Sequence, residues 1–255
     1  MNFAKKTDMK NKMSYGDISE FLGPKENRYF SNGFKSMNIR YSNIVQNDGS
    51  LSVTIQAETG SNWSKKNKQN MSPHLGTTEF IAISAMISQL LLEKEMRLSN
   101  DEIEQSWISR FMCKIKQCTE VDQRNISVTG KILSTEPLAG FLQSQIRVQI
   151  GTMQVTLFIC HPYAGSLNRN KKETDSVNLY TNGYKMRDHA VTGVVLDMES
   201  KTSSADVSIN EEKNRMNGIG AKYSGMILTD FILVTGQLAQ VLLYNLNGNA
   251  KIQIP

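Results

Sequence analysis

The sequence predicts an α+β protein built from two related halves, each with a long buried helix cradled by antiparallel strands. Three observations predict this class: short segments that recur at a nearly constant spacing, strand-like runs with an apolar residue at every second position, and two long segments that are apolar on almost every side. A helix and a sheet that each present an apolar face bury those faces against one another, which is the layer rule for this class.

The recurring segments define the two halves. The first pair lies 150 positions apart, and the other two pairs lie 151 positions apart. Several matches at nearly one spacing indicate an internal duplication, whereas any one match alone would be weak. The pairs are NGFK at 32–35 with NGYK at 182–185, TEFI at 78–81 with TDFI at 229–232, and QL at 89–90 with QV at 240–241.

A β-hairpin is predicted after the first segment of each half. In the first half, alternating apolar residues lie on both sides of the turn at 47–49, which contains Asp-Gly. In the second half the same alternation surrounds a turn that is a few residues longer. The alternating residues are Met37, Ile39, Tyr41, Leu51, Val53, Ile55 and Ala57 in the first half, and Val194, Leu196, Met198, Ala205, Val207 and Ile209 in the second.

Each hairpin leads through a polar loop to a helix, predicted at about residues 78–93 and 229–245. Because both helices are apolar nearly all round, each must be covered on most sides. Thr77 or Thr78 in the first helix, and Thr229 in the second, are suited to capping the first turn. Glu79 and Asp230 then lie where the helix dipole favours negative charge.

Four further strand-like runs follow the first helix, at 107–116, 125–133, 141–150 and 152–160. A hairpin, one buried helix and then a meander of strands is the order of a hotdog fold, so we expect a double hotdog. The second half stops early, with only Ile252 and Ile254 as a possible short strand. Either the chain is a fragment or the missing sheet comes from elsewhere.

The composition divides the chain into four parts. Residues 1–16 are polar and lysine-bearing, and we expect a disordered basic arm. Residues 17–165 form the first hotdog repeat, and residues 166–176 form a polar linker. Residues 177–255 form the second, truncated repeat.

The composition and the absence of characteristic motifs argue against several classes of protein. The net charge of +5 comes from scattered lysines, which does not favour a nucleic-acid-binding protein. No signal peptide or membrane-spanning stretch is apparent, and reduced thiols fit the cytoplasm, where we expect the protein. The three cysteines match no zinc motif, so neither a metal nor a cofactor is expected. Nucleotide-binding glycine loops and G-x-S-x-G elbows are also absent from the sequence.

Two segments resemble the bacterial avirulence protein D (AvrD) family. They are FLGP at 21–24, followed by Glu26, Arg28, Tyr29, Phe30 and GF at 33–34, and WSK at 63–65, followed by PHLGT at 73–77.

That family is associated with syringolides, in which a β-ketoacyl chain is condensed with a pentulose, and it is similar to hotdog proteins that make butyrolactone signals. The resemblance implies a synthase, an acyltransferase-like enzyme of secondary metabolism, that condenses a β-ketoacyl thioester of coenzyme A or acyl carrier protein with a sugar-like or polyol acceptor. A homodimer is compatible with this interpretation.

The candidate catalytic residues are His74, Glu79 and Asp230. Condensation needs a base, and it needs donors for the developing oxyanion, which the N-terminus of a buried helix supplies through its backbone N–H groups. The candidate substrate-binding residues are Trp63, Lys65, Thr77, Thr78 and Thr229.

Plainer interpretations stay open for these residues. His74 is equally interpreted as a loop histidine, Glu79 and Asp230 as helix caps, Trp63 as part of the core and Lys65 as part of a solvated loop. His189 carries no clear signal. For the whole chain, the alternatives are a non-catalytic binder of acyl chains or of an acyl-derived signal, and a hotdog dehydratase or thioesterase.

Overall fold

Two larger antiparallel sheets, two two-stranded sheets and two long helices make up the described part of the α+β fold. The computed structural model describes residues 12–47, 49–58, 65–66, 69–70, 75–114, 125–166, 176–210 and 216–246. The strands are β1 (Lys12–Asp17), β2 (Asn38–Asn47), β3 (Ser50–Glu58), β4 (Lys65–Lys66), β5 (Gln69–Asn70), β6 (Trp107–Lys114), β7 (Ile126–Leu138), β8 (Phe141–Ile150), β9 (Met153–His161), β10 (Val177–Asn178), β11 (Asp188–Asp197), β12 (Thr202–Asn210) and β13 (Met216–Asn217). The helices are α1 (Ser19–Leu22), α2 (Thr77–Glu95), α3 (Asn100–Glu104) and α4 (Leu228–Leu246).

The first half is a six-stranded antiparallel sheet with α2 against it. The strand order is β2-β3-β7-β8-β9-β6. The helix packs on β3, β7, β8 and β9. Alternate residues of these strands point at α2 and leave water, as period-two patterning requires. The main core includes Leu51, Val53, Ile55, Ile81, Ile87, Leu91, Val128, Ile146, Val148, Val155, Leu157 and Ile159.

The second half repeats the hairpin and the helix. Strands β11 and β12 pair as β2 and β3 do, and α4, like α2, has 19 residues. Even an irregularity recurs, because the hairpin register shifts after Ser42 in one half and after Thr192 in the other. Asn43 and Gly193, the residues that follow, both have positive φ angles, of 50° and 57°. The duplication inferred from the sequence therefore extends to backbone detail.

The third strand of the second sheet comes from the start of the chain. Residues 12–16 were expected in a disordered arm, but they lie in β1, which pairs antiparallel with β11. The turn after β1 and helix α1 then place Ile18 and Leu22 in a small core with Val191, Leu196 and Val234. Backbone pairing with β11, together with the packing of Tyr15 against this small core, explains why the polar-looking segment forms a strand.

Some predicted strand bounds differ from the structure, and other predicted segments lie outside the described residues. The strand expected at 107–116 is described as far as Lys114, beyond which residues 115–116 lie outside the described residues, and the strand expected at 125–133 extends to Leu138. Ile252 and Ile254 lie outside the described residues, as does the linker apart from Ser166 and Ser176.

The two halves contact each other through their equivalent segments. Each contains a 3₁₀ turn, Gly33–Ser36 and Gly183–Met186. Phe34 of one turn stacks on Tyr184 of the other, with ring centroids 6.0 Å apart. The contacts are reciprocal, because Lys35 Nζ lies 2.6 Å from the Asp188 carboxylate, while Lys185 Nζ donates to the Met37 carbonyl at 2.5 Å.

The segments before these turns also cross between the halves. Arg28 donates to Gln237 on α4 at 2.9 Å, and Asn178 donates to Gln89 on α2 at 2.9 Å. Helices α2 and α4 themselves pack together. An approximate twofold relation between the halves follows from these paired contacts.

Candidate active site

A buried carboxylate lies at the start of each long helix. The first, Glu79, is fully buried, and its Oε2 accepts two hydrogen bonds. The Tyr29 phenol donates one at 2.8 Å, and the Gly76 amide, which immediately precedes α2, donates the other at 2.8 Å. The other oxygen, Oε1, has no hydrogen-bond partner among the described residues. An unsatisfied buried oxygen is rare in folded proteins and often marks a site of function.

The surroundings of Glu79 make its carboxylate a stronger base than that of an exposed glutamate. Burial raises the pKa of this carboxyl group, and the hydrogen bonds from Tyr29 and Gly76, with the nearby Lys185 ammonium, oppose that shift only in part. Burial also lowers the pKa of Lys185, while the charge of Glu79 opposes that decrease. Lys185 belongs to the second half, so both halves contribute groups to the first carboxylate.

Gly76 allows this arrangement because it has no side chain. A Cβ atom at residue 76 would overlap the Tyr29 hydroxyl and would lie 2.9 Å from Glu79 Oε2. The backbone there is extended, with φ of −88°, so the requirement is one of space and not of conformation.

The second carboxylate, Asp230, is surrounded by donors. It is fully buried, and its Oδ2 accepts from the Ile227 amide at 2.9 Å, as Glu79 accepts from Gly76. Arg187 approaches both oxygens, with Nε at 3.1 and 3.0 Å and Nη2 at 2.9 Å from Oδ2. His189 Nε2 lies 2.8 Å from Oδ1, within hydrogen-bond distance. The side chains of Arg187 and His189 are each only 3% exposed.

The two equivalent carboxylates therefore differ in how many of their oxygens have hydrogen-bond donors. Every oxygen of Asp230 is occupied by at least two donors. Glu79 keeps one oxygen open. A carboxylate with an open oxygen and a raised pKa is suited to accepting and returning a proton, whereas a fully paired carboxylate is suited to holding structure.

The threonines do not cap the helices as expected. Helix α2 is preceded by Gly76 with no side-chain cap, so Thr77 and Thr78 lie inside the first turn, and Thr229 lies inside α4. The physical reason is that each helix begins one residue earlier than expected, after Gly76 and Ile227, so the threonines lie past the capping position, and Glu79 and Asp230 reach back to the amides of those two residues. Thr77 is exposed, and Thr78 and Thr229 are fully buried beside the acids.

The structure does not describe the side chains of the other candidate residues from the sequence. His74 and Trp63 lie outside the described residues. Lys65 begins the short strand β4, whose side chains are also outside the description.

Sequence analysis did not identify four of the residues at these two carboxylates as site residues. Tyr29 and Lys185 lie in segments that the repeat and the resemblance already singled out, so those segments were the available signal. Arg187 and His189 flank the start of β11 and carry no pattern. Their role depends on how the strand approaches α4, which the sequence does not encode locally.

Two structural findings concern metals and membranes. In the described ranges, no group of three or more His, Cys, Asp and Glu side chains is placed to hold a metal ion. None of the described helices combines the length and the apolar character needed to cross a membrane.

Comparisons with known proteins give one extensive match. The family model described as "Pseudomonas avirulence D protein (AvrD)" matches residues 13–253. The search of curated proteins gives no match. Among solved structures, a crystal structure of the HP0420 homologue from Helicobacter felis is similar at 11% identity, covering 51% of this chain and 80% of that chain, with a TM-score of 0.30. A TM-score this low supports no further argument about fold or function.

Proposed function

The chain belongs to the Pseudomonas avirulence D protein (AvrD) family, and from that premise we propose that it is a biosynthetic enzyme that condenses a β-ketoacyl thioester with a sugar-like or polyol acceptor. Membership of this family suggests a role in producing elicitors of the syringolide type. The proposed product is a small acyl lipid. The thioester would be carried by coenzyme A or acyl carrier protein, which fits a cytoplasmic protein.

The scaffold we propose is a double hotdog with an incomplete second repeat. The six-stranded sheet that packs on α2, and the matching hairpin and helix of the second half, support it. In such a scaffold the helix N-terminus directs backbone N–H groups at a ligand oxygen. Both buried carboxylates lie at that position.

One observation carries the proposal: Glu79 is a fully buried carboxyl group with a raised pKa and one oxygen that no described residue occupies. In the proposed acyl-transfer step, the acceptor hydroxyl oxygen attacks the thioester carbonyl and its proton passes to Glu79. The carbon–sulfur bond then breaks, and the thiolate that leaves takes that proton back from Glu79. Tyr29 holds the carboxyl group in position by donating to its other oxygen.

The remaining candidates have supporting parts in this proposal. Asp230 is fully paired, so we assign it to fixing the second helix and not to proton transfer. His74, Trp63 and Lys65 precede Glu79 in sequence and are proposed to contact the thioester. Thr77, Thr78 and Thr229 lie in the first helical turns, where ligand oxygens would approach.

The test is mass spectrometry of lipid extracts from cells that produce the chain. We expect a new acylated polyol or lactone with the wild type and none with Glu79→Gln, which keeps the shape of the side chain but cannot accept the proton. Glu58→Gln is the matched control, because Glu58 pairs with Arg40 on the surface, where its side chain is 57% exposed.

Three results would redirect the proposal. An unchanged lipid profile from folded wild-type protein would favour the non-catalytic binder of acyl chains. Product formation that survives Glu79→Gln would remove Glu79 as the base, and His74→Ala would then be the next variant to compare. A released free acid or a dehydrated acyl chain would instead indicate a thioesterase or a dehydratase.

A further inference from the structure

One side of helix α4 exposes apolar side chains that are buried at the matching positions of α2. The repeat spacing of 151 matches Phe231 with Phe80 and Leu243 with Leu92. Phe231 and Leu243 are each 55% exposed, whereas Phe80 is 8% exposed and Leu92 is fully buried. We call this surface, which ends at the exposed Leu246, the exposed flank. Extended apolar surfaces mark interaction sites, so the flank needs an explanation.

The matching surface of α2 shows what kind of structure covers such a flank. Helix α2 packs against β7, β8 and β9, the strands that continue its sheet beyond β3. Within the described residues, α4 packs mainly against α2, β11 and β12. The exposed flank therefore corresponds to the surface that a continuing sheet covers in the first half.

The edge of the second sheet beside that flank is open as well. In the first sheet β3 lies between β2 and β7, whereas its match β12 pairs with β11 and with no other described strand. The inward residues Ala205 and Val207 of β12 are only half-buried, whereas the matching Val53 and Ile55 are buried. The nine residues of β12 include neither lysine nor proline, which natural edge strands use to prevent pairing, and only one charge, Asp206.

The exposed flank carries no charge that would repel a second copy of the chain. Asp230 is the only charged residue among the 19 of α4, and it is fully buried. Two copies that each carry a net charge of +5 repel one another at basic surfaces, whereas an uncharged apolar flank lets them approach. Such a surface is also complementary to itself, which a twofold contact between identical chains requires.

We propose that two copies of this chain form a twofold dimer through the open edge of β12 and the exposed flank of α4. An antiparallel strand pairs with its own copy across a twofold axis. The three strands β1-β11-β12 then join the same three of the partner in one six-stranded sheet, the size of the first sheet. When the axis is normal to the sheet, both α4 helices lie on the same face and their exposed flanks meet.

The dimensions of the two surfaces suit this contact. A nine-residue strand is roughly 30 Å long and a 19-residue helix is about 28 Å long, so the edge and the flank match in length. A band of that length and about 20 Å deep covers roughly 550 Å² in flat projection, before surface relief is counted. Standard interfaces bury about 800 Å² per partner, so we expect a reversible dimer.

Sedimentation velocity of the full chain at increasing concentration tests the proposal. We expect the wild type to pass from monomer to a dimer of twice the 28.6 kDa chain mass. Phe231→Asp and Leu243→Asp should each raise the dissociation constant by about tenfold or more, because each places an unpaired charge in the interface. Val45→Asp is the matched control, since Val45 is 49% exposed on β2 in the other sheet, and should leave the dissociation constant unchanged.

Hydrogen exchange of the β12 amides supplies a second measurement. The amides that point away from β11 should exchange more slowly as the dimer forms and should lose that protection in Phe231→Asp. A wild type that stays monomeric at every concentration would overturn the proposal and leave the flank to a different polypeptide. A dimer that survives both α4 substitutions, or one that Val45→Asp dissociates, would overturn it too. The proposal involves no chemistry at Glu79, so its failure is distinguishable from a failure of the proposed condensation.

Discussion

Removing the charge of Asp230 should destabilise the protein severely. Asp230→Asn keeps the side-chain volume but leaves the Arg187 guanidinium, which is 3% exposed, without its counter-ion. Breaking a buried ion pair from one side costs about 3–5 kcal/mol, because an uncompensated charge stays in a poorly polarisable interior. Natural proteins have total stabilities of about 5–15 kcal/mol, so this single change removes a large fraction.

The assay is urea unfolding, with the free energy of unfolding taken from linear extrapolation. The surface pair of Arg40 and Glu58 supplies the control, since their side chains are 63% and 57% exposed. Glu58→Gln should cost no more than about 1 kcal/mol, because water screens the interaction. A loss below about 1 kcal/mol for Asp230→Asn would refute the reasoning.

The double variant separates charge from packing. Replacing both partners, Arg187→Met with Asp230→Leu, removes the uncompensated charge along with the ion pair. Apolar replacements of a buried pair are often neutral or stabilising, so the double variant should lose less free energy of unfolding than either single variant. If the double variant loses the sum of the two single effects, the residues act independently and the pair is not coupled.

Three further perturbations test other parts of the structure. Burial raises the pKa of Glu79 above its ordinary 4.5, so the folded state keeps a proton that the unfolded chain releases. The free energy of unfolding of the wild type, measured relative to Glu79→Gln, should therefore fall as pH rises through the folded pKa. Urea titrations that show a rise would contradict this. Gly76→Ala should lower both the melting temperature and product formation, whereas Gly225→Ala, where a Cβ meets nothing within 4 Å, should leave both unchanged. Leu22→Ala should cost about 2–5 kcal/mol in urea unfolding, and a negligible loss would show that the N-terminal segment does not pack on the second sheet.

Much of the fold followed from local patterns. The alternation in β2 and β3, the apolar length of α2 and the spacing of the matching segments each reflect a periodicity that neighbouring residues encode. For that reason the helices begin and end within two residues of their expected bounds. The position of β1 could not be predicted in this way, because a strand at the edge of another sheet depends on a partner about 180 residues away.

The same distinction between local pattern and tertiary structure applies to the candidate site. The sequence by itself determined that two acidic residues begin two matched buried helices, because the repeat and the helix periodicity are both local properties of the chain. Only the tertiary structure decided that Asp230 is enclosed by Arg187 and His189, while Glu79 accepts from Tyr29 and keeps one oxygen without a partner among the described residues. The physical reason is that ionisation and hydrogen bonding depend on burial and on the distance to groups far away in the chain, which a one-dimensional pattern does not specify.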